Sequence, residues 1–537
     1  MADSAGGVRP GNAQVTVRAA VFRLLRDFGL TTVFGNPGST ELPMFREFPS
    51  DFRYVLGLQE SIAVAAADGF AQATRNAALV NLHSAVGVGH GLGNLFTAWR
   101  NQTPLVVVAG QQARAILPFE PFLYASQATE FPKPYVKWSC EPARAQDVPA
   151  AIARAYYVAM QPPRGPTFVS VPVDDWDRLC EPIAARTVSR VIAGDPELLR
   201  QAAHALKSAQ RPVVVVGAGV ARDEAWEEVL ELAERHQAPV WVSPMSGRNS
   251  FPETHRLFAG FLPADRSRIV ERLQGADVIV VLGAPVFTYH REGSGPHAPP
   301  GAHLIQLSDD PNAAAWAPIG TSIVTNLKLG IRALVSGEPP PRRADPGPFT
   351  RAPRLDGTVL TDRYLLQQIA SLRPPGSVIV EEAPSSRGPM HDYLPILDPD
   401  GFYTCASGGL GHGLPAAVGV ALARPDRKVI AVLGDGSSLY SIQGLWSAAQ
   451  LKLSIAFIII RNGRYEALHE FGQLFQLDQL PGTELPAIDF CGFAHAQGMA
   501  ALRVVKAGEL DAALRHALQS SEPVLVEVVT QNADTVN

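Results

Sequence analysis

The sequence predicts an α/β protein built from three doubly wound parallel-sheet domains. Three observations carry that expectation. A chain of 537 residues corresponds to about three cores at roughly 100–200 residues per domain. Short, continuously apolar runs alternate along it with helix-length amphipathic segments, the pattern of parallel strands covered on both faces. A proline-rich interruption at 337–357 then separates the last block of that alternation from the rest.

In the first block Val21, Leu24, Leu25 and Phe28 recur at helical spacing and Gly29 ends the helix. Strands are expected at 31–34, 54–58, 78–82, 105–109 and 167–171, with a largely apolar helix over 61–73. The second block places strands at 213–216, 240–242, 278–282 and 304–307. The third places them at 377–380, 429–433, 455–460 and 524–528. The expected organisation is a tail at 1–14, domains at 15–190 and 191–336, a linker at 337–357 and a domain at 358–537.

Composition narrows the function. With 46% apolar residues, 18% charged residues and a formal net charge of −5, the chain has neither the basic footprint of a nucleic-acid binder nor the polarity of a disordered segment. Four cysteines without CxxC spacing suggest neither a zinc site nor a disulfide framework. The start has no apolar signal region, and the apolar run at 455–460 is too short to span a bilayer. A cytoplasmic enzyme of small-molecule chemistry, without nucleic-acid or membrane partners, is the resulting expectation.

The run from Lys428 ends at Gly434-Asp435-Gly436, and the next apolar strand ends at Asn462-Gly463. If these strands are adjacent and parallel, Asp435 and Asn462 meet at the sheet edge where open α/β sheets bind ligands. A carboxylate, an amide oxygen and a backbone carbonyl are hard donors suited to Mg²⁺, which completes its shell with phosphate and water. Gly434 and Gly436 open the backbone to a phosphate, and Ser437, Ser438 and the following helix offer donors. On spacing alone, a strand-to-helix turn capped by Asp explains the segment equally well.

Glu60 stands at the entrance of the apolar helix. A helix N-terminal charge accounts for it; so does a partly desolvated carboxyl able to exchange a proton with a weakly basic ring nitrogen. His83 and His290 each end a strand, a position where a histidine is usually structural.

The Gly434-Asp435-Gly436 triplet followed 27 positions after Asp435 by Asn462 resembles the signature of the thiamine diphosphate enzymes. The stretches Phe34-Gly35-Asn36-Pro37-Gly38-Ser39, Leu82-His83-Ser84-Ala85, Gly283-Ala284-Pro285-Val286-Phe287-Thr288-Tyr289-His290 and Cys405-Ala406-Ser407-Gly408-Gly409-Leu410-Gly411 are similar to the benzoylformate decarboxylase branch. The resemblance implies pyrimidine-binding, central and diphosphate-binding domains, thiamine diphosphate and Mg²⁺ as cofactors, and a homo-oligomer whose minimum active unit is a dimer, with a dimer of dimers usual. It implies that Glu60 exchanges a proton with N1′ of the aminopyrimidine. It assigns Ser39 to the substrate carboxylate and carbonyl, His83 to the substrate-derived oxygen and His290 to the carbon left after CO₂ departs. The metal ligands would be Asp435, Asn462 and the Arg464 carbonyl. The cofactor would touch Asn36, Pro37, Gly38, Ser385, Gly408, Leu410, Ser437, Tyr440 and Tyr465 as well as the metal loop. Phe122, Leu123, Leu468 and Phe471 are apolar candidates for a pocket around an aromatic ring, and ordinary core residues on the other reading.

The implied activity is non-oxidative decarboxylation of an aromatic 2-oxo acid. Carboligation to 2-hydroxy ketones is the alternative, with a catalytically silent scaffold subunit disfavoured by the retained Glu60, Ser39, His83 and His290. The chain departs from the branch pattern at His90, where Asn is usual, and at Arg461, Pro384 and Glu466. A Gly217-Ala218-Gly219 echo of a dinucleotide loop does not complete to GxGxxG, and no flavin is expected.

Overall fold

The structure is a computed structural model that describes residues 14–343, 346–347 and 351–531. The expected tail thus lies almost wholly outside the described residues, and the expected linker lies partly outside them. The described residues form two compact units, one drawn from 14–71 and 76–189 and one from 72–75 and the described residues after 189. Three six-stranded sheets, parallel throughout, are distributed over them, one in the first unit and two in the second.

In the first unit the strand order is Arg53–Leu56, Thr32–Gly35, Ala78–Leu82, Leu105–Gln111, Thr167–Pro172, Ser139–Cys140. Alternate residues of the central strands enter one core: Val33, Leu79, Val106, Val108, Val169 and Val171 pack with the helices Val17–Asp27 and Val148–Met160. The opposite face is buried as well, where Phe34 meets Phe70 at 5.3 Å between ring centroids. Each fully buried aliphatic side chain here contributes about 1.5–3 kcal/mol, which is why these strands read as unbroken apolar runs.

The second unit carries the central sheet, ordered Phe258–Phe261, Val240–Val242, Pro212–Val216, Val278–Leu282, His303–Ser308, Thr321–Val324. Its other sheet is ordered Phe402–Thr404, Val378–Glu382, Val429–Gly434, Ile455–Arg461, Val524–Val529, Ala500–Val504. In each sheet the chain adds strands toward one edge and then crosses to the other side of its first strand, and the crevice at that switch point is the place where such sheets receive ligands. The switch points lie between Thr32–Gly35 and Ala78–Leu82, between Pro212–Val216 and Val278–Leu282, and between Val378–Glu382 and Val429–Gly434.

Three differences from the sequence expectation matter for the site. The strand expected at 377–380 is Val378–Glu382, and its last two residues are buried glutamates. The segment after Asp435 forms a single turn, Asp435–Leu439, before a separate helix Gly444–Gln450, so one expected helix is two. In the central domain Gly219 is needed for packing: a Cβ there would lie 2.6 Å from the Cα of Gly283, whose own φ is +63°.

Candidate active site

The first unit gathers one constellation at its switch point. The loop after Thr32–Gly35 carries Asn36, Pro37, Gly38 and an exposed Ser39, and it runs over the ring of His83 so closely that a Cβ at Gly38 would enter the imidazole. His83 follows the strand Ala78–Leu82 and stands at the N-cap position of the helix Ser84–Asn101, its side chain free of any capping bond. Its Nδ1 lies 2.8 Å from Oε2 of Glu41 and 3.2 Å from Oγ1 of Thr40. Glu41 in turn accepts hydrogen bonds from the backbone N–H groups of Gly38 and Gly110, each at 2.8 Å, and from the Thr40 hydroxyl at 2.6 Å. A buried carboxylate with this many donors is held in one orientation, and it holds His83 in turn.

Glu60 begins the helix Glu60–Thr74 and is 7% exposed. A Cβ at Gly87 would lie 3.1 Å from Glu60 Oε1 and 3.3 Å from the Cβ of His83, so Glu60 and His83 flank that glycine. His90, one turn further on, places Nδ1 3.0 Å from Glu60 Oε2. Burial first, then the carboxylates of Glu41 and Glu60, push the Tyr54 phenol upward, which puts that phenol in the field of both glutamates. Leu123 belongs to the same neighbourhood, because its carbonyl accepts from Ser84 Oγ at 2.8 Å. Its neighbour Phe122 is 88% exposed and is no core residue of this chain.

The second unit holds the other constellation. The strands Val429–Gly434 and Ile455–Arg461 pair in parallel with Gly434 opposite Ile460, so the residues that follow both strands meet. Asp435 Oδ2 accepts from the N–H groups of Asn462 at 3.1 Å and Gly463 at 2.7 Å, and Oδ1 from Gly436 at 2.8 Å. Burial pushes the Asp435 carboxyl up, against the pull of these N–H groups. Asn462 Oδ1 accepts from the Arg464 N–H at 3.2 Å, and the Arg464 guanidinium pairs with Glu466 at 2.6 and 3.0 Å. Among the described residues no group of three or more His, Cys, Asp or Glu side chains could hold a metal. One carboxylate with amide and carbonyl oxygens nevertheless fits a hard divalent ion whose remaining ligands and charge balance come from a diphosphate.

Ser437 Oγ lies 2.7 Å from the Glu382 carbonyl oxygen and 3.0 Å from that of Gly434, and Ser438 Oγ lies 2.7 Å from the Gly434 carbonyl. Both hydroxyls therefore donate to the strand ends. A Cβ on Gly436 would enter the ring of Tyr465. Burial, then Tyr440, pushes the Tyr465 phenol up, and Tyr440 itself is exposed. Gly408, with φ +73°, is exposed beside a half-buried Leu410, and Ser385 lies in the short turn Pro384–Ser386.

His290 comes from the loop after the central strand Val278–Leu282, and its ring meets Phe471 of the helix Glu466–Leu474 edge to face, with centroids 5.0 Å apart. Leu468 of that helix is exposed. The structure thus brings Ser39, His83, Glu60 and Leu123 together on one unit, and Asp435, Asn462, Arg464 and Tyr465, with His290 beside Phe471, on the other.

Family models match the thiamine pyrophosphate enzyme N-terminal TPP binding domain over residues 15–129, the central domain over 199–334 and the C-terminal TPP binding domain over 385–528. A benzoylformate decarboxylase of Pseudomonas aeruginosa is 43% identical over 97% of this chain and 99% of its own length. The chain belongs to the thiamine pyrophosphate enzyme family. Among solved structures, the benzoylformate decarboxylase of Polynucleobacter necessarius superposes with a TM-score of 0.94 at 40% identity, covering 96% of this chain and 99% of that one. The thiamine diphosphate-dependent 4-hydroxybenzoylformate decarboxylase of Rhodococcus jostii RHA1 gives 0.93 at 40% identity over 96% and 99%. This member of the family is a benzoylformate decarboxylase-like carboxy-lyase using thiamine diphosphate. No helix among the described residues is long and apolar enough to cross a membrane.

Two site residues escaped the sequence reading. Glu41 belongs to no motif singled out in the sequence, and only the fold shows it reaching His83 and Gly110. Glu382, buried at the third switch point, accepts from the N–H of Gly411 at 2.6 Å and from the N–H of Gly413, and so pins the loop that carries Gly408 and Leu410. Two successive glutamates closing an apolar strand at a ligand edge were the signal available for it.

Proposed function

We propose that this enzyme decarboxylates an aromatic 2-oxo acid of the benzoylformate kind to the aldehyde and CO₂, with Mg²⁺ as the metal partner of thiamine diphosphate. The observation that carries the reading is His83, locked by Glu41 and Thr40 beside Glu60, in a chain similar over its length to a decarboxylase of that substrate. Thiamine diphosphate, when bound, supplies the carbon nucleophile and the sink for the electrons left by CO₂.

The chain's own groups then divide the remaining work. Asp435, Asn462 and the Arg464 carbonyl would hold Mg²⁺, which would balance the charge of the diphosphate, while Gly434, Gly436, Ser437, Ser385, Tyr440 and Tyr465 would shape its surroundings. In the first unit Glu60 would exchange a proton with the aminopyrimidine N1′, with Asn36, Pro37 and Gly38 as its neighbours toward the cofactor; in the second unit Gly408 and Leu410 are the proposed cofactor contacts. Ser39 orients the substrate carboxylate, His83 serves the substrate oxygen and His290 delivers a proton to the former carboxyl-bearing carbon. Phe122 and Leu123 in the first unit, and Leu468 and Phe471 in the second, are the proposed apolar contacts for an aromatic ring.

The protein is proposed to be a cytoplasmic homo-oligomer, in keeping with four unpaired cysteines. The test is CO₂ release from benzoylformate, 4-hydroxybenzoylformate, phenylpyruvate and pyruvate with Mg²⁺ and thiamine diphosphate present. The aryl substrates should be turned over best; preference for pyruvate, or no turnover of any member, would sink the proposal.

A further inference from the structure

The strand Ala78–Leu82 delivers His83 into a one-residue connection to the helix Ser84–Asn101, and Ser84, the next residue, stands at φ +42°. This left-handed backbone strains a residue that has a side chain, and it persists only where the surroundings over-determine it. Glycine adopts such a φ without cost, so what serine adds here is its hydroxyl. That hydroxyl is buried and donates to the Leu123 carbonyl oxygen at 2.8 Å. Leu123 is strained in turn, at φ +65°, as the third residue of a turn closed by the Tyr124 N–H on the Pro121 carbonyl at 2.9 Å. Phe122 and Leu123 are therefore the two corner residues of the turn to which Ser84 is bonded. Just beyond it, buried Gln111 at the end of the strand Leu105–Gln111 grips both backbone groups of Ala125, donating to its carbonyl at 2.9 Å and accepting from its N–H at 3.3 Å. The two anchors come from the ends of paired parallel strands, with Leu82 opposite Ala109.

We propose that Ser84 is a positioning residue that sets Leu123 relative to His83 and thereby the size of aryl group the enzyme accepts. The inference rests on the reading of Leu123 as an apolar contact for the aromatic ring. Glu41 and Thr40 fix the orientation of the His83 imidazole. Ser84, its neighbour in the chain, fixes how far from that imidazole the Leu123 corner lies. One backbone junction thus carries both the group that serves the substrate oxygen and the bond that places a wall for its ring. Removing the hydroxyl releases the turn on its Leu123 side while Gln111 still holds Ala125, so the corner shifts without the segment coming free.

The experiment measures kcat and KM for benzoylformate and its 4-methyl and 4-tert-butyl analogues with the native, S84A, L123A and S84A/L123A enzymes, each loaded with thiamine diphosphate and Mg²⁺. S84A should change the ratio of kcat/KM between the unsubstituted and 4-methyl acids by about fivefold or more, with the change falling on KM more than on kcat. L123A should change it at least as far. The double variant should go no further than L123A, because the hydroxyl acts through that residue, whereas a general loss of packing would multiply with it. S84G, which lacks the hydroxyl but not the backbone freedom, should match S84A in selectivity and melt at a higher temperature, and it carries the same test if S84A does not fold. A native ratio in S84A and S84G beside a changed one in L123A, or multiplying effects in the double variant, would overturn the proposal. A native ratio in L123A would instead remove the Leu123 assignment beneath it.

Discussion

The Nδ1 atom of His83 and the Oε2 atom of Glu41 are 2.8 Å apart, and the carboxylate that makes this contact is 2% exposed. A hydrogen bond to a charged group is worth about 1.5–3 kcal/mol, so E41Q should lower kcat for decarboxylation by about tenfold to a hundredfold. KM should move less, because Glu41 touches His83 and backbone rather than substrate. Steady-state kinetics with benzoylformate, alongside a thermal melt to register the altered bonds to Gly38 and Gly110, checks this.

Gly38 leaves room for the same ring. G38A puts a methyl group where the imidazole stands, and relief requires either the loop or His83 to move. Activity should fall by at least about tenfold from lost alignment, while thiamine diphosphate still binds. Retained native kcat in a folded G38A protein would contradict the placement.

At the other constellation, D435N exchanges the only carboxylate of the proposed metal site for an amide. The apparent affinity for thiamine diphosphate should drop by about a hundredfold, or about 2.7 kcal/mol. The rise in melting temperature on adding cofactor with Mg²⁺ should largely vanish in this variant, and chelation should abolish it in the native enzyme. Calorimetric titration of the native protein and D435N gives the numbers.

Glu382 gives a pH prediction. Burial pushes its carboxyl up to about 7, against the N–H groups of Gly413 and Gly411 that favour the charged form. The folded state therefore holds the proton more tightly than the unfolded chain, whose carboxyl titrates near the ordinary 4.5. The stabilisation is complete below about 4.5 and is lost as pH rises through about 7. Denaturant titrations of the native enzyme and E382Q across pH 5–8 should show a decline in the native protein that is flatter in the variant.

Phe471 meets His290 edge to face, a contact worth about 0.5–1.5 kcal/mol beyond its area. F471A should loosen His290 and widen the apolar surface near it, reducing kcat/KM for benzoylformate by about tenfold while changing that for pyruvate less. An equal loss on both substrates would argue for a packing role alone.

Much of this was legible from the chain. Asp435 and Asn462 could be paired from sequence because two apolar strands joined by a right-handed crossover leave little freedom in where their ends point. His83 could be placed at a strand end by the same logic, whereas His290, expected at a strand end too, lies in the loop eight residues past Leu282. Glu41 and Glu382 could not, since their partners are backbone N–H groups 69 and 29–31 residues away and no local periodicity encodes them. The edge strands Ser139–Cys140, Phe402–Thr404 and Ala500–Val504 were missed because they are short or only partly buried, so their apolar signal is weak. The break between Asp435–Leu439 and Gly444–Gln450 was missed because its residues carry no glycine or proline before Gly444.

The backbone contact between Gly219 and Gly283 reaches beyond its own domain. The loop that ends at His290 begins at Gly283, so an alanine at Gly219, a position with no part in the chemistry, would prise that loop from its seat. Inactivating substitutions in this enzyme should therefore cluster in two places, around the reacting groups and at this distant glycine hinge pin, and a survey confined to the former would misjudge which natural variants are harmless.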